Sequence, residues 1–170
     1  MSHPSSSAES GISGRDRRVK VGVGDLAVTA DGATITTSGL GSCVAVAIAD
    51  ERAGVRGLLH AMLPSADAVR TPAPRPGKYV DSGIETLLRD LDAAGASRPS
   101  MRAWLVGGAE MLDLTEAIGP RNVTSAERVL EAANVPIVAR DVGDAVGRTV
   151  RVRANGAVVV RAADGFERTL

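Results

Sequence analysis

The chain has 170 residues, 44% hydrophobic and 24% charged, a globular composition at a length that suits one domain with an appendage. Its 20 Lys and Arg balance its 20 Asp and Glu, and Trp104, Tyr79 and Phe166 are the only aromatic residues. With no basic excess and so few rings, the composition argues against a general nucleic-acid binder or a base-stacking platform.

Cys43 is the single cysteine, which excludes an intrachain disulfide and a Cys-rich zinc site. Such a chain fits a reducing, cytoplasmic compartment. Residues 1–18 are Ser-rich, carry no apolar block of signal-peptide length, and end in Arg15-Asp16-Arg17-Arg18. They read as a disordered tail, with a single folded domain over 19–170. The apolar run from Val44 to Ala49 is far short of the ~20 residues a bilayer span needs, so no membrane insertion is expected.

Val19 to Val23 alternates as a half-buried strand, and Leu26–Ala30 and Ala33–Thr37 are two more β-type runs separated by Asp31-Gly32, a hairpin signal. Gly39-Leu40-Gly41-Ser42 predicts a flexible loop before a strand from Cys43 to Ala49. A polar turn at 50–54 leads into a returning strand, Val55–Leu63, and the proline-rich stretch Pro64–Gly77 predicts a long loop. Ser82 and Glu85 have capping-box spacing, ahead of Ile84, Leu87, Leu88 and Leu91 at helical period, with Gly95 as the stop. Met101–Val106 reads as a strand closed by Gly107-Gly108. Asn122 reads as the N-cap of a second helix with a buried face of Ala126, Val129, Leu130 and Ala133. Ile137–Val142, Thr149–Val152 and Ala157–Val160 are late strands. Many strands and two long helices without strict βαβ alternation predict an α+β or layered α/β sandwich with mixed, mostly antiparallel sheets.

Three glycine features suggest ligand loops and read more simply as structure. Gly22-x-Gly24 follows a strand, but position 27 is alanine and a β-type run follows where a dinucleotide fingerprint opens a helix. Gly107-Gly108 reads as a tight strand exit. Gly119-Pro120-Arg121-Asn122 has the form of an anion-binding helix entry, but capping explains it.

Cys43 is different. A lone cysteine in an apolar strand is commonly a small buried hydrophobe. Here it stands at a strand mouth after Gly41-Ser42, where the backbone can approach a substrate and aim N–H groups at an oxyanion. His60 is the only histidine beyond the tail, since the other is His3. A hairpin centred on Glu51-Arg52 pairs Asp50 with Ala53 and carries that register down to Cys43 opposite His60, Cβ atoms roughly 4.5–5.5 Å apart. A one-residue slip would put them on opposite faces. Imidazole and thiol so placed form a nucleophilic pair, with a low-pKa, readily alkylated cysteine. Thr37, at the end of the preceding strand, is a candidate to orient the ring. A core cysteine remains the alternative.

The blocks Thr37-Ser38-Gly39-Leu40-Gly41-Ser42-Cys43-Val44-Ala45-Val46 and His60-Ala61-Met62-Leu63-Pro64 resemble the chemoreceptor glutamine deamidase family CheD. The resemblance continues through Lys78-Tyr79-Val80-Asp81, Leu105-Val106-Gly107-Gly108-Ala109 and Ile118-Gly119-Pro120-Arg121-Asn122-Val123 to Pro136-Ile137-Val138-Ala139 and Gly147-Arg148. Two positions depart from the family pattern: Ala61, where an aromatic is common, and Glu110, where asparagine is common. The resemblance implies catalytic Cys43, His60 and Thr37, and a cysteine-dependent hydrolase that converts glutamine side chains of methyl-accepting chemotaxis receptors to glutamate. It also implies methylesterase action through the same thioester, and the chemotaxis phosphatase CheC as a partner. Gly41 and Ser42 are the expected oxyanion and substrate contacts, and the chemistry calls for no metal or organic cofactor. A monomer in the free form is expected, because no long amphipathic seam is left over. The competing reading is a non-catalytic chemotaxis adaptor that binds receptors or the phosphatase.

Overall fold

In Val44-Ala45-Val46-Ala47-Ile48-Ala49 the larger residues alternate with alanine, and the strand they form is buried on both faces. Val44, Val46 and Ile48 pack under the helices, while Ala45, Ala47 and Ala49 face a second sheet. A strand sandwiched in this way needs no polar alternation, and its small side lets the two sheets approach. The computed structural model describes residues 17–68, 70–71, 74–110 and 117–170. The expected disordered tail lies outside the described residues up to position 16, as do parts of the proline-rich loop.

The first sheet has the order β1-β3-β8-β9-β10. It comprises β1 (Arg18–Lys20), β3 (Thr34–Leu40), β8 (Arg148–Val152), β9 (Val158–Ala162) and β10 (Glu167–Thr169). The second has the order β2-β5-β4-β6-β7. Its strands are β2 (Leu26–Thr29), β5 (Val55–Ala61), β4 (Val44–Asp50), β6 (Arg102–Gly107) and β7 (Ile137–Val142). Both sheets are mixed, each with one parallel pair, β1 with β3 and β6 with β7. Two helices, α1 (Val80–Ala93) and α2 (Ile118–Ala132), cover the outer face of the second sheet, giving a sheet–sheet–helix layering. This is the α+β sandwich expected.

Several expectations need correction. Asp31-Gly32 does not close a hairpin: β2 pairs with β5 and β3 with β1 and β8, so the turn carries the chain between sheets. Two short runs beside a turn signal cannot show that each has a better partner elsewhere. The predicted loop at 39–42 is partly strand, because β3 continues to Leu40 through a bulge after Thr37. The extra residue leaves Ser38 and Gly39 exposed and returns Leu40 to the core. β10 went unforeseen because its Glu-Arg-Thr run is polar and exposed.

Ser82 does not cap α1, which starts at Val80 after Tyr79; its hydroxyl instead donates to the Pro76 carbonyl at 2.7 Å. The buried stripe of Ile84, Leu87, Leu88 and Leu91 is as the spacing predicts. Gly57 of β5 makes room for that stripe: a Cβ there would stand 2.7 Å from Leu87. Helix α2 begins five residues earlier than the cap reading placed it, which puts Asn122 inside the helix. Ala126 and Leu130 are buried, while Val129 and Ala133 are only half-buried.

Candidate functional site

The turn between β4 and β5 spans four residues, 51–54, where a two-residue turn was expected. Asp50 therefore pairs with Val55, and Ala45 stands opposite His60. Cys43 lies just beyond the end of the ladder, diagonal to the histidine. A displacement of two residues preserves the face, so both side chains still point between the sheets. Diagonal neighbours sit roughly 7–8 Å apart, farther than the directly opposed pair the sequence predicted. No Sγ–Nε2 hydrogen bond is present: Nε2 is buried without a partner.

The His60 backbone is fixed by the Gly24-Asp25 turn, its carbonyl accepting from Gly24 N–H at 2.8 Å and its N–H donating to the Asp25 carbonyl at 3.0 Å. This is the role of Gly24, whose φ of 80° suits a turn pressed against β5. Thr37 lies within β3, not at its end, and is buried. Its Oγ1 donates to the Val21 carbonyl at 2.6 Å and meets His60 Nδ1 at 2.7 Å. A hydroxyl has one proton and a carbonyl can only accept, so Thr37 must accept from Nδ1–H. The neutral ring is therefore the Nδ1–H tautomer, with the Nε2 lone pair free as a base.

Cys43 is half-buried. Burial pushes its thiol above the ordinary range, partly offset by its own N–H. Burial likewise pushes His60 below the usual imidazole value. The resting pair is thus thiol and neutral imidazole, which corrects the expected low-pKa cysteine: desolvation acts on both groups and no hydrogen bond joins them.

The loop holding Cys43 is fastened by residues that the sequence offered only as a strand exit and a helix cap. Gly108 N–H donates to the Cys43 carbonyl at 2.8 Å and Ala109 N–H to the Gly41 carbonyl at 2.9 Å. A Cβ on Gly107, at φ 106°, would fall 2.4 Å from the Cys43 oxygen. The glycine pair is thus more than a strand exit: it allows β6 to lie against the cysteine. Asn122, read as a cap, sends its amide to the carbonyls of Ser42 and Met62 at 2.8 and 2.9 Å. The Gly41 N–H is occupied by the Gly39 carbonyl at 3.1 Å, whereas the N–H groups of Ser42 and Cys43 have no backbone acceptor among the described residues. No cluster of three or more His, Cys, Asp or Glu suited to a metal occurs among the described residues. No described helix is long and apolar enough to cross a membrane.

A family model described as CheD chemotactic sensory transduction matches residues 62–162, more than half the chain. A Haloarcula marismortui protein named probable chemoreceptor glutamine deamidase CheD is 40% identical over 169 residues, covering 97% of this chain and 96% of that one. The chain belongs to the CheD family. A Bacillus subtilis member, named chemoreceptor glutamine deamidase CheD, is 34% identical, covering 89% of this chain and 95% of its own. In three dimensions the CheD chain is similar to a crystal structure of a Neisseria meningitidis protein of the DUF152 family. That match has a TM-score of 0.50 at 10% identity, and covers 84% of this chain and 69% of the other. At that identity the likeness concerns the fold alone.

Proposed function

We propose that the chain is a protein-glutamine deamidase acting on methyl-accepting chemotaxis receptors, with Cys43 as nucleophile, His60 as base and Thr37 as the group that orients the ring. The observation that carries this reading is the Thr37 hydroxyl. By giving its proton to Val21 it leaves His60 with an unpartnered basic Nε2 on the face that carries the chain's only thiol. A buried lone pair without a partner is costly, and a swing of the Cys43 side chain toward the ring would satisfy it.

Nε2 takes the thiol proton as sulfur attacks the glutamine carboxamide carbon. The tetrahedral oxyanion is met by N–H groups of the Gly41-Ser42-Cys43 turn, where those of Ser42 and Cys43 have no backbone acceptor among the described residues. As the intermediate collapses, the C–N bond breaks and the imidazolium returns its proton to nitrogen, releasing ammonia and leaving a thioester. Water, deprotonated by the same Nε2, attacks the thioester to give glutamate and restore the thiol. Each turnover adds one negative charge to the receptor surface, a local change able to bias a two-state helical protein.

The same thioester would form from a glutamate methyl ester, so receptor methylesterase activity belongs to this reading. So do a cytoplasmic location, the phosphatase CheC as regulatory partner, and a monomeric free form. The deciding measurement is ammonia release from a receptor cytoplasmic fragment by wild type and by Cys43→Ala. Release by wild type alone is expected. Turnover surviving in Cys43→Ala overturns the mechanism, and a wild type that binds the fragment without release points to an adaptor.

A further inference from the structure

Asn122 is fully buried in α2, and its carboxamide lies where the sheet stops holding the site together. The β4–β5 ladder ends at Val44 with Ala61. Beyond it, one amide proton of Asn122 goes to the carbonyl of Ser42, just before the nucleophile, and the other to that of Met62, two residues past the histidine. Its Oδ1 is buried without a partner. An apolar residue would avoid that orphaned acceptor, so packing gives no reason for an asparagine here, whereas two carbonyls in need of donors do.

The Ser42 carbonyl and the Cys43 N–H belong to one peptide plane and point in opposite directions across a trans bond. Fixing the carbonyl on α2 therefore fixes the N–H away from α2. That N–H has no backbone acceptor among the described residues.

We propose that Asn122 is a positioning residue for the deamidation, clamping the Ser42–Cys43 peptide so that the Cys43 N–H is aimed at the developing oxyanion. The inference rests on Cys43 being the nucleophile. It deepens that reading by assigning the aim of the Cys43 N–H to a helix side chain far away in sequence.

The test compares Asn122→Leu and Asn122→Ser with wild type in ammonia release and in Cys43 alkylation by iodoacetamide, a reaction that builds no oxyanion. Loss of a well-aimed oxyanion donor costs roughly 100-fold in kcat. Asn122→Leu should approach that loss with KM within about threefold, and Asn122→Ser, which keeps one donor, should fall between the two. Alkylation per folded molecule should change little in either variant. A folded Asn122→Leu with wild-type kcat overturns the proposal. So does a fall in kcat and alkylation together in proportion to the unfolded fraction, or failure of both variants to fold, since each marks a structural role. Failure of the Cys43 reading is separately visible, as activity retained in Cys43→Ala.

Discussion

Thr37→Val removes one hydroxyl at the junction of the two sheets and leaves two buried groups, the Val21 carbonyl and His60 Nδ1–H, without their partner. A buried polar group so orphaned costs about 1–3 kcal/mol. The imidazole can escape by moving its proton to Nε2 and donating it to a Cys43 sulfur swung toward the ring, so the stability loss is chiefly that of the carbonyl. At about 2–4 °C per kcal/mol for a chain of this size, Tm should fall by about 2–12 °C. The escape removes the base, because the proton now sits on the nitrogen that faces the thiol. Restoring the working tautomer costs another 1–3 kcal/mol or so, equivalent to about a 5- to 150-fold drop in kcat. Thr37→Ser retains the hydroxyl and should stay within about threefold of wild type. Ammonia release from a receptor fragment, with thermal unfolding alongside, measures both effects. A folded Thr37→Val with unchanged kcat would refute the tautomer argument.

Burial raises the Cys43 thiol and lowers the His60 imidazole, so the acid limb of kcat/KM should lie below the ordinary imidazole value of about 6.5. Iodoacetamide labelling should rise only above the usual thiol range near about 8.5, and a midpoint below it contradicts the assignment. The His60 contribution to stability is present above about pH 6.5 and lost as pH falls through the folded value, while that of Cys43 is present below about pH 8.5 and lost as pH rises through its folded value. Gly107→Ala forces a Cβ to within 2.4 Å of the Cys43 oxygen at φ 106°. It should cost about 2 kcal/mol or more in urea unfolding, with lower kcat in the folded fraction; an unchanged midpoint would show that β6 can withdraw freely. Leu87→Ala opens a cavity under α1, on the sheet face opposite the site. A loss of about 2–5 kcal/mol is expected with kcat per folded molecule preserved, and a kcat defect would mean that the helix layer is coupled to the chemistry.

Much of the fold was legible because its signals are local. The stripe Ile84, Leu87, Leu88, Leu91 depends on helical period alone, and it is the buried face of α1. The alternation from Val44 to Ala49 marks a strand whatever its partners. The hairpin parity was legible too, since Cys43 and His60 needed only an even register difference to share a face. The register itself was not legible, because Gly54 at φ 69° helps build a four-residue turn that length alone cannot distinguish from a shorter one.

The sequence by itself determined the layered class, the choice of Cys43, His60 and Thr37 as the residues of interest, and the family blocks that contain them. Only the tertiary structure decided how they meet. Thr37 reaches His60 across two sheets, Val21 fixes which ring nitrogen carries the proton, and Gly107, Gly108 and Asn122 hold the cysteine loop from β6 and α2. Those contacts join residues that are distant in the chain, through carbonyls and N–H groups that every residue possesses. Periodicity and residue type carry no record of such partners; packing alone selects them.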